Sequence, residues 1–428
     1  MQPQLQQHAQ REALHNEVHA RPPQALTTRL AISHVVMICD AEQREASRSH
    51  VAALLSTLKQ PPPDPQSSHF RMDLGAFRIG WELHAEFVNW TFMRALPAQH
   101  SGEHEPELAL DKVPHDWFAA LPGRCLSALH LWALPRDAPE AATLARRMLL
   151  EDTLVASRVA AGAAEVYTDF TIRSDGFSRM LVLVGSMPER RLGRLVQRLL
   201  EIESYRMAAL LGLPAARDAG VVLSGAEHEL VELANAIRSA SACDEPMLLD
   251  RLTKLAGQVE SQHAATHSRF SASVAYFELV DKRLSEINEA PLPGLQTIGE
   301  FLDRRLSPAR STCAWATRRQ DALSQRVSRI SNLLRTRVEI EQQQSSQALL
   351  ASMNRRQDLQ LKMQFTVEGL SVAAITYYIV GLVSYLAKGA HAIGWPWSAE
   401  STAALTLPII ALGVWWSLHK LHHRVLRD

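Results

Sequence analysis

The chain has 428 residues, and 45 Lys and Arg balance 45 Asp and Glu. That neutrality excludes a bulk electrostatic draw toward nucleic acid or a strongly acidic partner. Cys39, Cys125, Cys243 and Cys313 are scattered, without the paired spacing of a zinc site or disulfide framework, which suits a reducing compartment.

The opening MQPQLQQHAQ lacks a basic region followed by an apolar run, so no secretory signal is expected. Residues 1–26 read as an extension carrying Asn16-Glu17-Val18-His19-Ala20-Arg21-Pro22-Pro23. On a helix His15 and His19 share a face, with Glu17 between them, so a metal is conceivable there. The order is not the His-Glu-x-x-His of zinc peptidases, however. The structural alternative has His19 and Arg21 bonding backbone groups while Pro22 and Pro23 fix the entry to the first strand.

Residues 27–215 alternate strand-like and helix-like segments and predict a mixed α and β domain. Leu30 to Ile38 reads as a buried strand, and Glu42 to Leu58 as a helix with Val51, Leu54, Leu55 and Leu58 on one side. A proline connector (Pro61, Pro62, Pro63, Pro65) follows. Arg71 to Met93 reads as two strands or one long bent one, because Trp81, Leu83, Ala85 and Phe87 alternate with Glu82, His84 and Glu86. That alternation predicts a carboxylate–imidazole–carboxylate row on one face, with Arg78 at the same parity. Such a row can bind a cation or do acid–base work; an ion-paired solvent face is the simpler reading. The polar loop with His100, Glu103, His104, Glu105, Glu107, Asp111 and His115 offers a further cation candidate or a solvated loop. Leu126 to Leu134 is another strand, and Ser174-Asp175-Gly176 marks a hairpin between Glu165–Ile172 and Phe177–Val184. Pro188 opens a helix with Leu192, Leu195, Val196, Leu199 and Leu200 on one face, closing at Gly212 and Pro214.

Residues 216–368 carry no strand signal and predict a helical stalk. Glu227–Ala240, Pro246–His263 and Ser271–Asn288 read as helices. Ser307 then caps a helix with Pro308 at its first position, and no further proline or glycine occurs before Gly369. One very long helix is therefore expected to run to about Lys388. Leu323, Val327, Ile330 and Leu334 give it a short coiled-coil seam, for packing on the preceding helices or on a second copy.

Residues 369–420 read as two membrane spans, about 369–388 and 401–418, each near the ~17–25 residues that cross a hydrocarbon core. A buried helical hairpin is the alternative. Trp395 and Trp397 precede the second span and Trp415 and Trp416 stand near its end, where interfacial anchors belong. Arg355, Arg356 and Lys362 lie before the pair, and Lys420, Arg424 and Arg427 in or near the basic tail 421–428. The positive-inside rule then puts both termini in the cytoplasm. Tyr377, Gly381, Ser384 and Lys388 recur along one side of the first span, for helix packing or, in a ring of copies, for lining a pore. Glu368 at the inner boundary would then be an ion site, or would snorkel to the headgroups.

The Asn16–Pro23 stretch, the Glu82–Phe87 segment and Tyr377-Tyr378-Ile-Val-Gly381-Leu resemble bacterial membrane-anchored proteins catalogued as domain of unknown function 3422. The resemblance covers nearly the whole chain and implies no activity. Because it rests on the first of these stretches, it makes Glu17, His19 and Arg21 binding candidates. The layout is also similar to that of CorA-type magnesium channels, pentamers whose first span lines the pore. Their Gly-Met-Asn signature is missing: the corresponding place reads Leu386-Ala387-Lys388-Gly389, and a ring of Lys388 would repel divalent cations.

Neither G-x-x-x-x-G-K-[ST] nor G-x-G-x-x-G nor G-x-S-x-G occurs, and no residue constellation asks for an enzyme. The weakest expectation is an enzyme using His84 with Glu82 or Glu86. The cofactor is undefined. The leading expectation is a self-associating protein of the bacterial inner membrane, with a cytosolic α/β sensing or scaffold domain. Its partners would be the bilayer and further copies of itself, and not nucleic acid. The alternative is a CorA-like channel for divalent cations.

Overall fold

The computed structural model describes residues 7–12, 14–15, 23–65, 67–97, 105–138, 141–239, 244–391, 393–394 and 396–425. Glu17, His19, Arg21 and Trp395 lie outside the described residues. The chain divides into two units, Met1–Ala236 with Asp250–Ile330, and Ile237–Leu249 with Ser331–Asp428.

The first unit is built on a nine-stranded sheet of order β2-β3-β4-β1-β5-β8-β7-β6-β9. Its strands are β1 (Leu30–Ile38), β2 (His69–Asp73), β3 (Arg78–Leu83), β4 (Phe87–Ala95), β5 (Arg124–Pro135), β6 (Val155–Val159), β7 (Ala164–Thr168), β8 (Ser178–Val184) and β9 (Ala290–Pro291). β5 and β8 run parallel and the other pairs antiparallel. β1 is apolar on both faces because it lies between β4 and β5 under two layers of helix.

One face is covered by α1 (Ala41–Thr57), α2 (His115–Ala119) and α3 (Ala141–Met148). Asp40 and Gln43 form a reciprocal capping box at the start of α1, which satisfies two otherwise orphaned N–H groups. Val51, Leu54 and Leu55 of α1 then share a core with Trp81, Trp90, Phe92 and Trp132. The opposite face is covered by α4 (Glu189–Leu210), whose Leu192, Leu195, Val196 and Leu199 pack with Leu30, Ile32, Val166 and Val182.

Three strands, not one or two, occupy the Arg71–Met93 region. Gly75, at φ +82°, takes the tight turn after β2, its N–H bonded to the Asp73 carboxylate (2.9 Å). A second turn at His84–Glu86 separates β3 from β4 and is held by Cys39 N donating to the Glu86 carbonyl (3.0 Å). The alternation from Trp81 to Phe87 therefore crosses a reversal. Trp81 lies in the core on the α1 side and Phe87 in the core on the α4 side.

Beyond α4 the chain enters α5 (Gly212–Ser239) almost directly, so Gly212 and Pro214 open a helix where they were expected to end one. Pro214 fits because the first turn needs no N–H there. α6 (Glu245–Ile287) is continuous where a break near 263–271 was expected. α7 (Ile298–His391) starts nine residues before Ser307. Thr297 and Glu300 make its capping box, Thr297 N to Glu300 Oε2 at 3.2 Å and Glu300 N to Thr297 Oγ1 at 3.1 Å. Pro308 consequently sits inside the helix, between buried Leu306 and Ala309. Core burial on both sides outweighs the hydrogen bond that the proline removes.

Within the first unit α5, α6 and the opening part of α7 form a bundle, in which Ala216, Ala219, Phe270, Cys313 and Ala316 pack together. Arg319 reaches Glu227 with both arms (2.7 and 2.6 Å), and Gln320 donates to Thr266 (2.9 Å). Leu323 and Val327 of the expected seam are buried on this side.

The second unit holds the rest of α7 and α8 (Ala399–Val425). Arg337 pairs with the buried Glu245 (2.6 Å). Residues 344–365 of α7 are exposed all round, and apolar sequence follows. Thr376 and Ala387 are covered, whereas Leu370, Tyr377, Tyr378, Leu382, Tyr385 and Leu386 are exposed.

Candidate functional site

A cavity of about 140 Å³ opens between α4 and the β1–β4 half of the sheet. Its floor is one sheet face, composed by the pairing register. Arg71 stands opposite Gly80, and Asp73 opposite Arg78. Gly80 in turn stands opposite Thr91, and Glu82 opposite Asn89. Thr91 stands opposite His34 on β1. Gly80 leaves the middle of the floor bare: a Cβ there would touch only Thr91 and Arg71, at 3.6 Å or more. α4 roofs the space with Val196, Gln197 and Leu200.

The segment before β1 closes one side. Leu26 N donates to the Glu189 carbonyl (3.1 Å), which ties it to the start of α4. Gly193 lets that segment lie directly on the helix, where any side chain would strike the backbone of Gln24.

The proton positions follow from the hydrogen bonds. Ser204 Oγ donates to the Leu200 carbonyl (2.9 Å), so it accepts from His34 Nε2 (3.0 Å). Burial lowers His34 from 6.5 to about 4, with partial opposition from Glu82 and Glu203, so the ring is neutral near pH 7. Its Nδ1 is then an acceptor, and Thr91 Oγ1 donates to it (2.9 Å). Asn89 Nδ2 donates to His84 Nε2 (3.3 Å). Asn89 is 5 % exposed, and its Oδ1 has no hydrogen-bond partner. A buried acceptor left unmade costs about 1–3 kcal/mol.

The charges divide unevenly. Arg71 and Glu82 pair at 2.7 Å. Glu201 pairs with Arg283, and Asp73 accepts from Gly75 N (2.9 Å). The Arg78 side chain makes no hydrogen bond or ion pair among the described residues. The Arg78 guanidinium and the Asp73 carboxylate, opposite each other on β3 and β2, are thus the two lining charges without an ion-pair partner among the described residues.

Of the sequence candidates, Glu82 lines this cavity and Arg78 lines it with her parity intact, but the row of Glu82, His84 and Glu86 does not form. His84 turns onto Phe87, with ring centroids 4.4 Å apart, and bonds Asn89. Glu86 binds Arg269 and Tyr276 on α6, and burial with the nearby Glu86 charge pushes Tyr276 up to about 12. Glu105 pairs with Arg179 (3.5 Å), Glu107 with Arg94 (2.5 Å), and Asp111 caps Leu108 N (2.9 Å). His100, Glu103 and His104 lie outside the described residues. Among the described residues no group of three or more His, Cys, Asp or Glu side chains is placed to hold a metal ion. His34, Asn89 and Thr91, which sequence reasoning did not single out, carry the site.

A second polar cluster resembles a catalytic triad and cannot work as one. Ser33 Oγ meets His130 Nδ1 at 2.8 Å, and Asp175 lies 3.9 Å from His130 Nε2. Ser33 is completely buried, so no substrate reaches it. Burial and then Arg179 lower His130 to about 3, which leaves it a poor base near neutral pH.

The second unit offers a different surface. Among the described residues, three helical stretches are long and apolar enough to cross a membrane: Glu189–Ser239, Ile298–His391 and Ala399–Ser417. The first puts Leu192, Leu195, Val196 and Leu199 into the sheet core and Ala216 and Ala219 into the bundle, and its most apolar window is 33 % buried. In the other two the most apolar windows are 11 % and 0 % buried. Tyr377 and Lys388 are exposed, Lys388 lying over Tyr385 at 5.8 Å, and Gly381 and Ser384 are half-buried. Trp397, Trp415 and Trp416 are exposed, Trp415 stacked on His419 and Lys420 over Trp416 at 4.8 Å. Glu368 precedes this surface.

The family described as "Protein of unknown function (DUF3422)" matches residues 6–425. No curated protein and no solved structure matches the chain.

Proposed function

Since the chain belongs to the DUF3422 family, whose description carries no activity, we propose from its own surfaces that it is a membrane-tethered ligand-binding protein. The end of α7 and α8 span the bacterial inner membrane, both termini stay in the cytoplasm, and the sheet domain takes a small molecule in the cavity beneath α4. The observation that carries this reading is the contrast between two kinds of apolar helix. A third of the most apolar window of the α4–α5 stretch is buried in protein, against 11 % and 0 % for the windows of the C-terminal pair. A continuous bare surface of that kind is far larger than a soluble monomer tolerates. The cavity itself supplies the second half, a space of about 140 Å³ beneath α4 with polar and apolar side chains on one floor.

Washing membranes with alkaline carbonate tests the tether: the intact chain is expected to stay in the pellet. External protease on sealed spheroplasts should spare residues 23–330. Release into the wash, or digestion of the sheet domain from outside, defeats the reading.

Self-association belongs to the same proposal, because Tyr377, Tyr378 and Tyr385 present hydroxyls from exposed positions that need partners in lipid. An ion path through such an assembly is the alternative. Liposome flux that responds to Tyr377→Ala and Lys388→Glu would favour it, and absence of flux removes it.

A further inference from the structure

We propose that the flank of α4 facing the β6–β7 turn and the end of α6 is a second ligand site, which binds the dianionic head of a phosphate monoester. No residue lines both this site and the cavity beneath α4.

The helix period sets it up. Arg191, Arg194 and Arg198 are spaced three and four apart, so they share one face of α4, and like charges at that spacing repel. They line a hollow of about 170 Å³, closed by Ala160 of the β6–β7 turn and by Glu286, Ile287 and Asn288 at the end of α6. An engineered cavity of ~150 Å³ accommodates benzene, so there is room for a phosphate group and the first atoms of what carries it.

The walls are tied to one another before any ligand arrives. Ala160 N donates to the Ile287 carbonyl (2.8 Å), and Arg191 Nη2 donates to the Ala160 carbonyl (2.9 Å). Arg198 donates from Nε to the Glu286 carboxylate (3.0 Å) and from Nη1 to the Glu286 carbonyl (3.1 Å). Both turns rest on left-handed backbone, with Ala160 at φ 53°, Ala161 at φ 55° and Asn288 at φ 48°. Alanine gains no local side-chain hydrogen bond from that conformation, so the β6–β7 turn holds strain beside the arginines.

The charge of the ligand follows from the ion pairs. Glu286 is shared by Arg198 and Arg283 (3.0 and 2.9 Å), and Arg283 also holds Glu201. Two carboxylates thus balance two guanidiniums. Arg191 has only a backbone carbonyl, and the Arg194 side chain makes no hydrogen bond or ion pair among the described residues. Two positive charges on one small hollow are left without a counterion. A carboxylate would answer one of them, whereas a phosphate monoester answers both and offers three oxygens to the guanidinium forks.

Titration calorimetry on the detergent-purified full chain tests this at pH 8, where a phosphate monoester with a second pKa of about 6 is a dianion. Glycerol 3-phosphate is expected to bind about 10-fold more tightly than dimethyl phosphate, which carries a single charge. Arg194→Gln should weaken that binding about 10-fold, and Arg190→Gln, an exposed neighbour outside the lining, should leave it unchanged. Without ligand, Arg194→Gln should not lower the unfolding midpoint, because it removes a repulsion and no contact. A lowered midpoint would make Arg194 a structural residue and overturn the proposal. Equal loss from both replacements would mean diffuse attraction to a basic surface, and equal binding of dimethyl phosphate would remove the dianion; either outcome overturns it too.

Dihexanoyl phosphatidic acid, below its micelle concentration, carries the same monoester on a lipid and separates the two sources of such a group. Affinity equal to that of glycerol 3-phosphate points to a soluble phosphorylated compound. Much tighter binding of the lipid, lost in Arg194→Gln, points to a membrane headgroup. Binding of neither compound defeats the site.

Discussion

Gly193 and Gln24 touch backbone to backbone: a Cβ on residue 193 would lie 1.7 Å from the Gln24 carbonyl oxygen. No rotamer relieves a clash with main chain. Gly193→Ala must push the segment before β1 off α4, and overpacking of this kind costs roughly 1–3 kcal/mol. Urea unfolding of the variant should show a midpoint lowered accordingly, together with weaker ligand binding. A midpoint equal to that of the native protein would mean the segment is not seated on α4.

Ser157 fastens the start of α7. It is fully buried, donates to Glu289 Oε2 (2.8 Å) and accepts from Ile298 N (2.9 Å), while the Glu289 carboxylate also receives Gly299 N (3.0 Å). Ser157→Ala leaves a buried N–H and one carboxylate oxygen short of a partner, which costs about 1–3 kcal/mol. Gln325→Ala, on the exposed side of the same helix, should fall within ~0.5 kcal/mol of the native protein. Chemical denaturation of the two variants side by side measures the difference.

Acid should unfold the first unit through its buried imidazoles. His34 titrates at about 4 in the folded chain and near 6.5 when unfolded. Below about pH 6.5 the unfolded chain therefore binds the proton first, and stability drains away until the folded ring also protonates near pH 4. Above pH 7 both forms are neutral and the term vanishes. His130, lowered to about 3, adds in the same direction. Replacing His34 by Gln should flatten the loss between pH 6.5 and 4 by up to ~3 kcal/mol, read from unfolding midpoints across that range.

Thiol labelling should follow exposure. Cys125 is exposed and Cys39 and Cys313 are buried; desolvation raises all three thiols, Cys39 to about 11, so access and not acidity separates them. Iodoacetamide at neutral pH is expected to alkylate Cys125 in the native chain, and Cys39 and Cys313 only after denaturation, as mass spectrometry of the peptides will show.

Much of this architecture was legible where local chemistry and tertiary packing agree. The run Leu30–Ile38 has the composition of a doubly covered strand and is one. The exposed apolar pair at the C-terminus was visible from hydropathy alone. Reading failed where two local signals competed. Ser307-Pro308 looks like a helix start, but Thr297-Ile-Gly-Glu300 is the capping box in use, and buried neighbours carry the helix through the proline. The alternation around His84 hid a reversal, because a period of two carries on unchanged through a short turn if the residues happen to fit. The cavity was only half legible: Arg78 and Glu82 share a face by parity, whereas His34, Asn89 and Thr91 join them through pairing between strands. A signal was present nonetheless. A histidine inside LAISHVVMI and Asn and Thr two apart inside FVNWTFM are polar side chains in strands that otherwise bury everything.

The far edge of the sheet is completed by β9, a strand of two residues at Ala290–Pro291, well ahead of the bare apolar stretch that begins near 369. At ~5–20 residues per second, a ribosome needs on the order of ten seconds to travel between the two. Every strand has thus been translated, with time to pair, before the first greasy turn of α7 leaves the exit tunnel.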